Sequence, residues 1–162
     1  MYLSLLIRHF LTFRCDRFLV EDEDVDLYIL AMNDNDPFVK SFSHKMHSSL
    51  NFKTSSGFEK VLNVLIGEVN ENEGSATIEA LAALSKNHAS MIADMIPLFF
   101  GLKNGFLPRE FALGDATHRA HLLVVFNAAS VLPSILAMLP KYVVARYDFI
   151  KSYYEEYIPE VS

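Results

Sequence analysis

Residues 55–84, SSGFEKVLNVLIGEVNENEGSATIEALAAL, decide the fold. Phe58, Val61, Leu62, Leu65, Ile66 and Val69 recur at i, i+3, i+4, i+7, i+8 and i+11, which is one face of a helix with 3.6 residues per turn. Ser55 or Ser56 opens this helix and Asn70 to Gly74 stops it, since Asn and Gly are common terminators. Beyond the polar break Asn72-Glu73-Gly74, Ser75 to Ile96 is of another kind. Ala76, Ile78, Ala80 to Leu84, Ala89, Met91 to Ala93 and Met95 point nearly all round the axis. A helix apolar on most sides belongs in an interior, and its alanines let neighbours approach closely.

Working outward, Asp36-Pro37 is a helix start signal, with Asp as N-cap and Pro at the first helical position. Phe38, Phe42, Met46 and Leu50 follow at four-residue intervals and predict a narrow apolar stripe. Further upstream, residues 16–36 carry eight carboxylates against one Arg, which reads as a solvated acidic loop flanking the short apolar run Val25 to Met32. No EF-hand spacing is present there. Leu3, Leu6, Ile7, Phe10 and Phe13 share one face of a helix predicted over 3–13.

Downstream, Pro97 ends the central helix, Leu98 to Phe106 follows, and Pro108 makes another break. Ala120 to Leu139 has no formal charge other than a proton that His121 can take, and its length approaches that of a membrane span. Asn127, Ser130, Pro133 and Ser134 interrupt it, so a buried or amphipathic helix broken near Pro133 is preferred to a bilayer-crossing segment. Lys141 to Tyr157 reads as helical, with Tyr142, Tyr147, Phe149, Tyr153, Tyr154 and Tyr157 as aromatic anchors.

The totals narrow the function. At 162 residues the chain suits one domain with a real core, and 51% apolar content with 13 Phe and 7 Tyr excludes wholesale disorder. A net charge of −6 with no basic stripe argues against nucleic acid as a partner. The single Cys15 cannot form an internal disulfide and points to a reducing, intracellular compartment. Arg8 and His9 interrupt the apolar N-terminus, so no signal peptide is expected.

Catalytic chemistry finds little support. No GxSxG, P-loop or GxGxxG occurs, and Cys15 lies beside Asp16 as well as Arg14 and Arg17, which leaves its thiol unactivated. His44 with His47 and His118 with His121 have i, i+3 spacing on helices. Two such pairs could hold zinc if the helices met, but no HExxH arrangement accompanies them, and solvent-facing or capping imidazoles are the plainer expectation. No enzyme activity, cofactor or metal is therefore expected.

In their order and spacing these segments resemble the Bcl-2 family, in particular the divergent homologues of gammaherpesviruses. In that family a helix bearing the third homology region leads through a short loop to a Phe-led amphipathic helix. The signature Asn-Trp-Gly-Arg then opens the buried central helix. Here Ser48-Ser49-Leu50-Asn51-Phe52 ends the first helix, Thr54-Ser55-Ser56-Gly57-Phe58 starts the next, and Asn72-Glu73-Gly74-Ser75 looks like a degraded signature before Ala76 to Leu84. Phe99-Phe100, Asn104, Leu107-Pro108 and Val131-Leu132-Pro133 look like the C-terminal half of a rodent gammaherpesvirus member. The resemblance covers most of the chain, with two departures: Glu73 stands at the signature Trp and Ser75 at its Arg.

The resemblance implies an all-α, Bcl-2-like bundle in a single domain over 1–162, with a buried central helix over about 75–96 wrapped by amphipathic helices. An acidic loop over about 16–36 and apolar C-terminal helices over about 117–157 complete it. It also implies a viral apoptosis regulator that sequesters the BH-three helix of host pro-apoptotic Bcl-2 proteins. The groove would be lined by Phe42, Met46, Leu50, Phe58, Val61, Leu62, Leu65 and Ile78, with Asn72, Gly74 and Ser75 at its signature end. In helix-in-groove recognition apolar anchors at i, i+3, i+4 and i+7 carry the affinity, at about 1.5–3 kcal/mol each before ordering costs. With Ser75 in place of Arg, this groove would rely on apolar contacts or on another cation such as Lys86. Phe58→Asp or Leu62→Glu would then abolish binding and leave the fold intact. The protein would work in the cytoplasm, with the mitochondrial surface and homodimerisation open to it. The alternative is a Bcl-2-like or other helical scaffold that has lost the groove and acts by dimerisation or adaptor binding.

Overall fold

The computed structural model describes residues 18–71, 74–102 and 112–161. The helix predicted over 3–13 and Cys15 lie outside these residues. The described chain is mainly helical, with one short pair of strands: β1 (Phe18–Val20), α1 (Asp22–Met32), α2 (Pro37–Met46), β2 (Leu50–Phe52), α3 (Ser55–Glu71), α4 (Ser75–Asn87), α5 (Ala89–Phe99), α6 (Ala116–Ala129), α7 (Ser134–Met138), α8 (Lys141–Val144) and α9 (Tyr147–Tyr153). The chain packs as two compact units, Met1–Val64 and Leu65–Ser162, and the division falls inside α3 rather than at a linker.

In the first unit β1 pairs in parallel with β2, Phe18 opposite Leu50 and Val20 opposite Phe52. The α1–α2 hairpin lies between the two strands in sequence. The acidic segment is thus a strand and a helix, not the solvated loop its charge predicts. Val25, Tyr28, Ala31 and Met32 are buried on α1 at helical spacing. Asp22, Glu23 and Asp24 sit in its first turn, where unsatisfied N–H groups favour negative charge.

Helix α2 starts as its sequence indicates, with Asp36 accepting from the Phe38 N–H at 2.8 Å and Pro37 next to it. Its inward side, however, is Ser43 and His44, and of the Phe38–Phe42–Met46 stripe Phe38 is 68% exposed while Phe42 and Met46 are half-buried. Leu50 does not extend that stripe, because α2 ends at Met46 and Leu50 lies in β2.

Helix α3 is capped by Thr54, whose Oγ1 accepts from the Gly57 N–H at 3.0 Å and whose hydroxyl donates to Asp22. Gly57 permits close approach to α1: a Cβ there would stand 2.9 Å from Cγ2 of Val25.

In the second unit the helix predicted over 75–96 is two helices. His88 leaves the helical region (φ −123°, ψ 36°), and its backbone N–H and ring Nδ1 both reach the Leu84 carbonyl, at 3.1 Å each. The imidazole therefore caps α4, a role usually filled by Gly or Asn. Helix α5 runs through Pro97 to Phe99 and is closed by Gly101 at φ 63°. Leu102 N–H donates to the Pro97 carbonyl there at 2.9 Å. Proline so close to a C-terminus removes one hydrogen bond without ending the helix.

The most enclosed helix is α6, buried continuously from Leu122 to Ala129 and packed on α4, α5, α7 and α9. Helix α4 is more one-sided: Ile78, Leu81 and Leu84 are buried while Ser75, Ala76, Glu79 and Lys86 are exposed. The run Ala120 to Leu139 breaks after Ala129 and resumes as the short α7. Among the described residues no helix is long and apolar enough to cross a membrane. The tail is two short helices, α8 and α9, separated at Ala145-Arg146.

Candidate functional site

The residues expected to line a groove divide sharply by exposure. On α3, Phe58, Val61, Leu62 and Leu65 are each 0% exposed. Leu50 and Ile78 are also buried, and the Phe58 ring meets Phe52 edge-on at 5.7 Å. The stripe that is clearest in the sequence is therefore packed against the protein itself. Phe42 and Met46 are half-buried on α2, and Phe42 stacks on Phe38 with ring centres 6.3 Å apart. Gly74 is the N-cap of α4, with nothing within 4 Å of a Cβ placed there, and Ser75 is the exposed first residue of that helix. Asn72 lies outside the described residues.

The histidine pairs are drawn inward, contrary to the solvent-facing expectation. His44 and His47 are buried on the inner side of the α1–α2 hairpin with ring centres 5.8 Å apart. The Tyr28 hydroxyl donates to the Ser43 carbonyl at 2.8 Å and lies 2.6 Å from Nδ1 of His47. One O–H cannot serve both, so Nδ1–H of His47 donates to the phenol oxygen. Burial first, and then the neighbouring His44, lower the His47 pKa to about 3. It is a neutral strut joining α1 to α2. Tyr28 was the missing signal, since its place on the α1 stripe is hidden by the surrounding carboxylates.

In the second pair, His118 is held by Arg146 and His121 by Phe99. Nη1 of Arg146 donates to Nε2 of His118 at 2.6 Å, while its guanidinium lies over the Tyr142 ring at 5.3 Å. His118 meets Phe100 edge-on at 6.1 Å and His121 stacks on Phe99 at 4.5 Å, so both imidazoles join α6 to α5. Burial is the first cause that lowers each pKa to about 4; Arg146 adds to it at His118, and His118 adds to it at His121. Arg119 donates to the carbonyls of Leu113 (3.1 Å) and Gly114 (2.9 Å), and stands 4.9 Å from the Tyr153 ring centre.

These contacts are joints between helices. Among the described residues no group of three His, Cys, Asp or Glu could hold a metal ion. Some large apolar side chains also face outward, scattered over helices and turns: Leu27 and Leu30 on α1, Phe38 on α2, Leu98 on α5, Val131 after α6, Met138 on α7, and Phe149 with Tyr153 on α9.

No protein-family model matches the chain. Among curated proteins it is similar to Integrator complex subunit 4 of Mus musculus, 18% identical over 142 residues that cover 86% of this chain. The human protein of the same name matches to the same extent, and that of Xenopus laevis is 17% identical over 149 residues, covering 91% of this chain. The chain spans about 15% of the length of these relatives.

Proposed function

We propose that this chain is a helical scaffold that serves as a structural part of a multiprotein assembly and has no catalytic role. The observation that carries the reading is the complete burial of Phe58, Val61, Leu62 and Leu65. The strongest amphipathic face in the sequence thus holds the protein together, and apolar side chains elsewhere are left for partners. The similarity to a protein named as a complex subunit supports the same reading, and it extends over most of the chain. Affinity purification of the tagged protein followed by gel filtration tests it. Stoichiometric co-elution with Integrator subunits is the expected result; elution free of all of them overturns it.

A second reading follows from the resemblance to Bcl-2 proteins: sequestration of a pro-apoptotic BH-three helix in the cytoplasm or at the mitochondrial surface. The stacked Phe38–Phe42 pair and half-buried Met46 favour it. Calorimetric titration with a panel of BH-three peptides decides. Binding at or below about 10 μM, which corresponds to roughly 7 kcal/mol, supports this reading, and no heat with any peptide removes it.

A further inference from the structure

We propose that the protein associates with a second copy of itself by laying the outward face of α1 antiparallel against the outward face of α2 of the other copy. The two faces are complementary in charge. Helix α1 carries Asp22, Glu23, Asp24 and Asp26 and no Lys or Arg; α2 carries Lys40 and Lys45 and no carboxylate. Both are also apolar on the side away from the core. On α1, Leu30 is 61% and Leu27 37% exposed, and helical geometry places them with Glu23 opposite the buried Val25, Tyr28 and Met32. On α2, Phe38, Phe42 and Lys45 lie together opposite the buried Ser43 and His44.

The registers match. Glu23, Leu27 and Leu30 run along one face over seven residue steps, about 10.5 Å, and so do Lys45, Phe42 and Phe38 read in reverse. Antiparallel pairing therefore sets Glu23 against Lys45, Leu27 against Phe42, and Leu30 against Phe38. Glu23 and Lys45 are both exposed on these faces. The contact is small for a protein interface, so the expected dimer is weak, with a dissociation constant on the order of tens of micromolar.

Sedimentation velocity on the whole protein, from about 5 to about 200 μM at low and high salt, reads the equilibrium. A concentration-dependent dimer that weakens as salt rises is expected. Glu23→Lys and Lys45→Glu should each weaken it about tenfold by placing like charges together, and the combined swap should restore it. Leu30→Ser should also weaken it. These positions are exposed, so circular dichroism of every variant should match the parent. Zero-length carboxyl–amine cross-linking of a mixture of isotopically light and heavy protein gives a second readout free of variants. A mixed-isotope peptide joining Glu23 to Lys45 is expected. A monomer at every concentration overturns the proposal, as does a dimer indifferent to all three single substitutions, a swap with no recovery, or the absence of the mixed cross-link.

Discussion

Truncation of α3 at Leu62 separates a core residue from a groove-lining one. Leu62 is 0% exposed on a helix whose neighbouring inward positions, Phe58 and Val61, are equally enclosed. Replacing a fully buried leucine by alanine removes its transfer free energy and leaves a void, at a combined cost of about 2–5 kcal/mol. With a urea dependence of roughly 2 kcal/mol per molar, a loss of about 3 kcal/mol moves the unfolding midpoint down by about 1.5 M. Phe58→Ala should cost about 3–5 kcal/mol, since the edge-on contact with Phe52 at 5.7 Å is lost as well. On the same grounds Phe58→Asp and Leu62→Glu should prevent folding, unlike a groove substitution that silences binding alone. Urea titration followed by circular dichroism checks the series. A Leu62→Ala protein whose midpoint moves by less than about 0.3 M would refute the core assignment.

The two glycines of α3 give a matched pair. Gly57→Ala should cost about 1–3 kcal/mol, because its methyl would meet Cγ2 of buried Val25 at 2.9 Å. Gly67→Ala, with nothing within 4 Å, should stabilise by up to about 1 kcal/mol; thermal melts of both variants check this. Removing the carboxylates that cap α2 and α6, by Asp36→Ala and Asp115→Ala, should each cost about 0.5–2 kcal/mol in urea titrations. Folded-state pKa values of about 3 for His47 and about 4 for His118 and His121 lie below the unfolded value of 6.5. The unfolded chain therefore binds more protons between these values, so stability is full above pH 6.5 and declines as pH falls toward 4. His47→Gln should flatten the pH dependence of the urea midpoint by about one proton.

Helices α2 and α3 were legible in the sequence because local signals agreed with the packing. Asp36-Pro37 caps one, and the spacing from Phe58 to Val69 defines the other. Helix α1 was hidden because four carboxylates crowd its start, Asp22, Glu23, Asp24 and Asp26, although Val25, Tyr28 and Met32 sit at helical spacing. The break at His88 has no Gly or Pro to announce it, since it depends on an imidazole folding back to the Leu84 carbonyl. For the candidate site, periodicity identified a face on α3 without telling whether water or protein covers it. A Phe–Leu stripe that floors a cleft and one that fills an interior have the same spacing, and only the burial of Leu62 and its neighbours distinguishes them.

The enclosure of α6 has a consequence during synthesis. Helices α4 and α5 turn Leu81, Leu84, Ile92 and Ile96 toward the inside of a unit whose centre is not made until residues 116–129 have left the ribosome. At about 5–20 residues per second, the roughly forty residues between the start of α4 and that of α6 take some two to eight seconds. For that interval the nascent chain shows oily helices with nothing to cover them, which makes it a natural client for chaperones that wait at the exit tunnel.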